Sequence, residues 1–385
     1  MSIKNIVHIA NNFASSQVHR NLIKCLSQKR GMGQEVYIPV RRKSDMGINS
    51  EGIKGRCTVK YSYCFKPFFK YFPLLKVLWV TIDCFKKIGW EKLGDADVLI
   101  AHTLWSDGMV AFFVHLIKGR KYILIVRNTD INIFLPRLPH YRFLIKWSIS
   151  RSKSLVFISH AHKERFFYKY PWLYNAASVV DVIPNGLDEF WLDNISRHND
   201  RDRKKDTKRV VYVGKFDKNK NLPGILNAVE SARRADPNIV LTLVGGSVIE
   251  LNKICKLKQP PSWVRVVEYI HDKNSLLALY RESAVFLMPS YHETFGLVYL
   301  EALSQGVPFI YEDRISGDIV VDALMQMYAY GSEKREQLGK NCQDKILKDY
   351  SFESYISRWE KLMLETHEKY GSWENRKGYD TWELI

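Results

Sequence analysis

Short apolar runs alternate with helix-length segments along almost all of this chain, a rhythm that admits few folds besides α/β with parallel sheets. In the first half the runs 3–10, 35–39, 98–101, 122–126, 155–158 and 179–183 predict strands; in the second, 210–213, 240–244, 264–267, 285–288 and 308–311 do the same. Between the two sets lies 196–208, a charged stretch without one apolar residue, which reads as a linker. With 385 residues the chain exceeds the size at which one core keeps growing. Two domains, 1–195 and 209–350, are therefore expected, and from about residue 331 the pattern is helical to the end.

Glu293 and Glu301 bracket the start of a segment in which Phe295, Leu297, Val298, Leu300 and Leu303 would wrap almost every side of a helix. An ionised Glu301 is costly there unless something hydrogen-bonds to it, and a polar ligand or a buried arginine would serve. Glu293 falls just before the helix, beside the free N–H groups of Thr294, Phe295 and Gly296, a place suited to substrate hydroxyls or negative groups. Gly296 would let that ligand approach the backbone. Upstream, Lys215 and Lys220 follow a strand and Gly214 by a short turn, so both ammonium groups can face the groove between domains.

These residues resemble the paired-glutamate signature of family 4 retaining glycosyltransferases, two-domain GT-B enzymes that use nucleotide-diphosphate sugars. The stretches Val211 to Leu222, Leu243 to Gly246, Leu279 to Ser290 and Val182 to Asp188 are similar to further landmarks of that family in the same order. The resemblance implies two Rossmann-like domains facing across a cleft, with a closing helix in 351–385 that returns to the first domain. It implies that Glu293 binds hydroxyls of the donor sugar, that Glu301 binds the nucleotide ribose, and that the backbone from Thr294 to Leu297 touches sugar or phosphate. Gly214, Lys215 and Lys220 would take the diphosphate charge, Asn185 would line the cleft, and Ile270 would lie near the base. The nucleotide sugar is a co-substrate; no other cofactor is expected. No metal is expected either, because the one Asp-x-Asp, Asp95 to Asp97, leads into a strand away from these motifs, leaving fixed cations to stabilise the leaving diphosphate.

The first half departs from that family. After the first strand come Asn11 to Ser16 where many relatives have paired glycines. After the strand 122–126, where many relatives place a histidine beside the reacting sugar, stand Arg127, Asn128, Thr129 and Asp130. His102 follows the strand 98–101 at the carboxyl end of a parallel sheet, where ligands gather, so it is a candidate to orient or deprotonate the acceptor hydroxyl; Asp130 and Arg127 compete for that role. His160 and His162 are two apart, face different ways on a helix, and are expected at the surface. Retention of configuration comes from the family, and with no confident nucleophile opposite Glu293, front-face substitution is the expected mechanism.

Residues 1–195 hold 29 Lys and Arg against 14 Asp and Glu, whereas the remainder holds 29 against 27. An anionic partner for the first half alone follows: a phospholipid surface, an anionic lipid-linked acceptor or nucleic acid, the last without a supporting motif. Within 63–92, lysines interleave with aromatics, as suits an interfacial segment; the loop 65–72 is expected to touch membrane and the helix after Pro73 to pack on the sheet. Six cysteines without paired spacing, no signal-peptide pattern and no spanning run suggest a cytoplasmic protein, peripheral on the inner membrane face. The expected activity is sugar transfer to a membrane-linked glycan such as a lipopolysaccharide, capsule or exopolysaccharide precursor. A catalytically silent membrane-bound relative and a soluble sugar phosphorylase are the alternatives.

Overall fold

The computed structural model describes residues 3–29, 31–53, 55–177, 179–196, 208–291, 293, 295–310, 317–330 and 332–365. The chain divides into two compact units, one ending at Gly186 and resuming at Phe352, the other running from Leu187 to Ser351.

The first unit is built on a seven-stranded sheet. Its strands are β1 (Asn5–Ile9), β2 (Gly33–Val40), β3 (Cys57–Tyr63), β4 (Val98–Ala101), β5 (Tyr122–Ile125), β6 (Ser154–Phe157) and β7 (Val180–Val182), in the order β3-β2-β1-β4-β5-β6-β7. Every pairing is parallel, with Ile9 opposite both Tyr37 and Ala101. β4, β5 and β6 are buried along their whole length, as strands covered on both faces must be. β3 was not foreseen: it is an edge strand of half-buried residues, and its Lys60 pairs with Glu35 of β2 at 3.3 Å, so it lacks a continuous apolar run.

The helix Phe352–Leu364 belongs to this unit. Tyr355, Ile356, Trp359, Leu362 and Met363, one stripe at helical spacing, pack against Ile6, Leu22, Val98 and Ile123. The expected return of the closing helix is thus observed. The boundary expected at 195 shifts, however: Leu187, Trp191 and Ile195, the last two on the helix Glu189–Ser196, are part of the second core. The linker expected at 196–208 lies almost entirely outside the described residues.

The second unit carries β8 (Arg209–Val213), β9 (Val240–Val244), β10 (Val264–Val267), β11 (Val285–Leu287) and β12 (Phe309–Ile310), again all parallel, in the order β10-β9-β8-β11-β12. Each sheet therefore reverses its strand order once, between β1 and β4 in the first and between β8 and β11 in the second. Such a reversal opens a crevice beyond the carboxyl ends of the two strands, where open α/β sheets bind ligands.

One helix of the first unit is apolar on two sides. Pro73–Ile88 turns Val77, Val80, Cys84 and Ile88 into the core, as expected, but leaves Leu75, Leu78, Trp79 and Ile82 exposed at the same helical spacing. Tyr71 (70 % exposed) and Phe72 (57 %) extend that outer stripe, and Lys66, Lys86 and Lys87 are exposed in the same segment. Phe69, by contrast, is buried against Phe68 and Trp79, so the 65–72 loop is only partly an outer surface. Among the described residues no helix is long and apolar enough to cross a membrane.

Candidate functional site

In the second unit, the loop after β8 and the loop after β11 meet at the strand reversal. Asp217 begins the turn by accepting from the Asn219 N–H, and Asn221, at φ 50°, caps the helix Leu222–Ala235 through the Gly224 N–H. Tyr291 ties the second loop onto this turn: its N–H donates to the Asn219 carbonyl at 2.9 Å and its hydroxyl to Asn221 Oδ1 at 3.2 Å. The two loops are thereby in register, and Lys220 Nζ meets Glu293 Oε2 at 2.6 Å, each side chain 18 % exposed. Residues 73 apart in sequence thus form a half-buried ion pair at the crevice.

The glycines fit this frame closely. Gly296, at φ 65°, precedes the helix Leu297–Ser304, and a Cβ there would lie 2.3 Å from the Tyr299 ring, so its primary role is to let the chain turn under Glu293. A Cβ on Gly214 would meet the Tyr212 hydroxyl at 2.9 Å, the same hydroxyl that donates to the Lys215 carbonyl. Lys215 is exposed, and its charge acts on Glu250, whose carboxyl is held below the usual range by the Ser247 N–H, the Ser247 hydroxyl and then Lys215. The two lysines therefore serve different carboxylates.

Glu301 is half-buried. The Tyr280 hydroxyl donates to it at 3.4 Å, Lys273 acts on it from farther away, and burial outweighs both, pushing its carboxyl up to about 7. Lys273 itself pairs with Asp188 at 2.8 Å. The recorded partner is a tyrosine rather than the buried arginine considered above, and one long hydrogen bond leaves most of the carboxylate's accepting capacity unused. Phe295 and Leu297 are half-buried against the second core, as is Ile270 just beyond β10; Thr294 lies outside the described residues.

At the reversal of the first sheet the candidates are buried. His102, next after β4, is fully enclosed and its ring contacts His8 of β1 and His19 of the helix Gln17–Ser27. Its Nε2 lies 3.1 Å from His8 Nδ1, and His8 Nε2 lies 2.9 Å from Gln34 Oε1. Burial, then His19, His8 and Arg127, hold its imidazole well below the usual range. Arg127 Nε donates to the His102 carbonyl at 3.2 Å and its Nη1 to Asn185 Oδ1 at 3.0 Å, so Asn185 belongs to this polar cluster of the first unit.

Asp130 is corrected from a candidate reactive group to an anchor. Its two oxygens accept from the N–H groups of Leu104, Trp105 and Arg127 at 3.0, 3.2 and 2.9 Å, fixing the loop that follows His102. Asp97 has a comparable task on the opposite edge, accepting from the N–H groups of Lys4 and Asn5, and among the described residues no cluster of metal-binding side chains occurs. His162 is buried against Phe157 rather than exposed; His160 is on the surface. His8, His19 and Gln34 were missed, although a histidine between Val7 and Ile9 in the first strand was a signal.

This architecture is the GT-B fold. Over 93 % of this chain and 98 % of the other, it is similar to sucrose-phosphate synthase from Thermosynechococcus elongatus, with a TM-score of 0.68 at 17 % identity. Residues 194–341, which include Lys220, Glu293 and Glu301, match the family Glycosyl transferases group 1. An uncharacterized 41.2 kDa protein in the cps region of Klebsiella pneumoniae is 30 % identical over 40 % of each chain. The O-antigen chain mannosyltransferase B of Escherichia coli is 31 % identical over 30 % of this chain and 31 % of its own. These matches thus span well under half of either relative.

Proposed function

We propose that the protein is a nucleotide-sugar-dependent glycosyltransferase that moves a hexose onto a membrane-linked glycan of a surface polysaccharide. The observation that carries this reading is the Lys220–Glu293 pair at a strand reversal, within the residues that match Glycosyl transferases group 1. An ammonium group has three donors, so Lys220 can stay on Glu293 while turning toward a ligand phosphate. Glu293 would bind sugar hydroxyls, and Glu301, with one long hydrogen bond from Tyr280, suits the two hydroxyls of a ribose. Lys215 supplies a further cation for the leaving diphosphate, with Gly214, Phe295, Gly296, Leu297 and Ile270 lining the same strand ends. No metal is required in this scheme, and the leaving phosphate takes the acceptor's proton in a front-face substitution that retains configuration. Glu293→Ala should lower turnover by about 10²- to 10³-fold, the loss typical of a transition-state contact, while the melting temperature is kept. Unchanged turnover would remove the assignment.

A polysaccharide acceptor is favoured by the O-antigen and cps-region relatives, and a membrane location by the outer stripe of the helix Pro73–Ile88. Exposed apolar side chains flanked by lysines, in the half of the chain that carries most of the charge surplus, suit the anionic face of a bilayer. The protein should sediment with vesicles containing anionic lipid and less with neutral ones, and Trp79→Ser should weaken that. Equal recovery in the supernatant with and without anionic vesicles contradicts it.

A further inference from the structure

We propose that Lys76 and Arg41 form a phosphate-binding site at the carboxyl ends of the first sheet, and that it takes a phosphate group carried by the acceptor. Calling the ligand the acceptor rests on the transferase reading; the site itself rests on the first unit alone.

The fold gathers these groups on one edge of the sheet. β2 ends at Val40 and is followed at once by Arg41, Arg42 and Lys43, all exposed. Lys76 lies in the first turn of the helix Pro73–Ile88 and is half-buried. Its Nζ sits over the ring of Phe65, just beyond β3, 4.7 Å from the centroid, which holds the ammonium beside the strand ends. The helix Ser106–Lys118 packs against Pro73–Ile88, and Asp107 in its first turn accepts from the Asn11 N–H at 3.0 Å and the Thr103 hydroxyl at 3.1 Å. Asn11 and Thr103 follow β1 and β4, so Asp107 marks the strand reversal, and Lys76 is within electrostatic reach of it.

Charge on this edge is unbalanced. Among the described residues neither Lys76 nor Arg41 forms an ion pair. Burial and then Arg41 hold Lys76 down to about 8, so at neutral pH it is still charged. The acidic groups that act on it, Asp107 and Cys64, are pushed up by burial to about 8 and about 11 and carry little charge there. Asp83, two turns further along the helix, receives the Tyr37 hydroxyl at 2.6 Å. Water can hydrate two cations that repel one another, but only an anion neutralises them. A phosphate dianion matches both charges and can meet the guanidinium fork and the ammonium on different oxygens, whereas a carboxylate brings one charge. Leu75 and Trp79, exposed on the same helix, suit a phosphate that joins a glycan to lipid.

Inorganic pyrophosphate, titrated by calorimetry into the full chain carrying Lys220→Met to disable the donor site, reads this site without substrate. Saturable binding is expected, weakened about 10- to 100-fold by Lys76→Met or Arg41→Gln and retained in Lys76→Arg. Arg41 is exposed, so its variant decides even if Lys76→Met does not fold. Affinity for phosphatidylglycerol vesicles should fall no further than the roughly five-fold due to any basic side chain at an anionic surface. In sugar transfer, with Lys220 intact, Lys76→Met should raise KM for the glycan acceptor and leave KM for the nucleotide sugar unchanged. No saturable pyrophosphate binding, or binding unaltered by both variants, overturns the inference. So does a loss confined to vesicles, which would assign the cations to bilayer headgroups, or a rise in KM for the nucleotide sugar alone, which would assign them to the donor. The expected pyrophosphate binding in a protein that transfers no sugar would leave the site standing and count against the transferase reading alone.

Discussion

The two sheets reverse strand order in the same way and fill the resulting position with opposite chemistry. Beyond β8 and β11, half-buried ionic groups meet on loops: Lys220 on Glu293, with Glu301 behind them. Beyond β1 and β4, neutral imidazoles are linked in the interior, and the carboxylates there, Asp130 and Asp107, are taken up by main-chain N–H groups and the Thr103 hydroxyl. Glu301, with one long hydrogen bond, keeps accepting capacity, whereas Asp130 is held by three main-chain N–H groups. Partner saturation, rather than residue type, separates a binding carboxylate from a structural one.

The largest expected effect that tests this contrast is on stability in the first unit. Asp130→Ala leaves three N–H groups without their acceptor and should cost about 2–4 kcal/mol in denaturant unfolding. A variant as stable as the parent would show that the loop after His102 holds itself, and would erase the distinction. A smaller effect of opposite sign belongs to Glu301. Its carboxyl is raised from 4.5 to about 7 in the folded protein, so the native state binds more protons than the unfolded chain between those values. Stability from the protonated form is complete below 4.5 and is lost as pH rises through 7, by up to roughly 3 kcal/mol if the whole shift is expressed. Glu301→Gln carries no such proton, so its stability relative to the parent should grow across that window while nucleotide-sugar affinity falls. Parallel pH profiles for the two proteins would mean that Glu301 is ionised without cost and does not await a ligand.

Much of the second unit was legible in the sequence because its information is local. Strands buried on both faces read as Val, Ile and Leu runs, and the position of Glu293 before an apolar helix is visible within ten residues. Even so, the sequence could not show that Lys220 rests on Glu293 while Lys215 acts on Glu250, since that depends on the Tyr291 tether between two loops. The first unit was less legible. Its polar cluster draws on His8, His19, Gln34, His102, Arg127 and Asn185, from six separate segments, and a single histidine in an apolar run carries no mark of its partner. Asp130 was misread for the same reason: two of the three N–H groups that claim it, those of Leu104 and Trp105, belong to a loop some 25 residues upstream. β3 escaped because an edge strand, half-buried and salt-bridged, has no period that demands a sheet.

The central claim, that the Lys220–Glu293 pair grips a nucleotide-diphosphate sugar, is tested most directly by thermal denaturation of the full chain titrated with uridine- and guanosine-diphosphate sugars. A ligand bound only to the native state at 100 times its Kd adds about 2.7 kcal/mol. The account predicts a saturable rise in melting temperature with one of these sugars, abolished in both Lys220→Met and Glu293→Ala. A parent protein unmoved by every nucleotide sugar, or variants that respond as strongly as the parent, would contradict it.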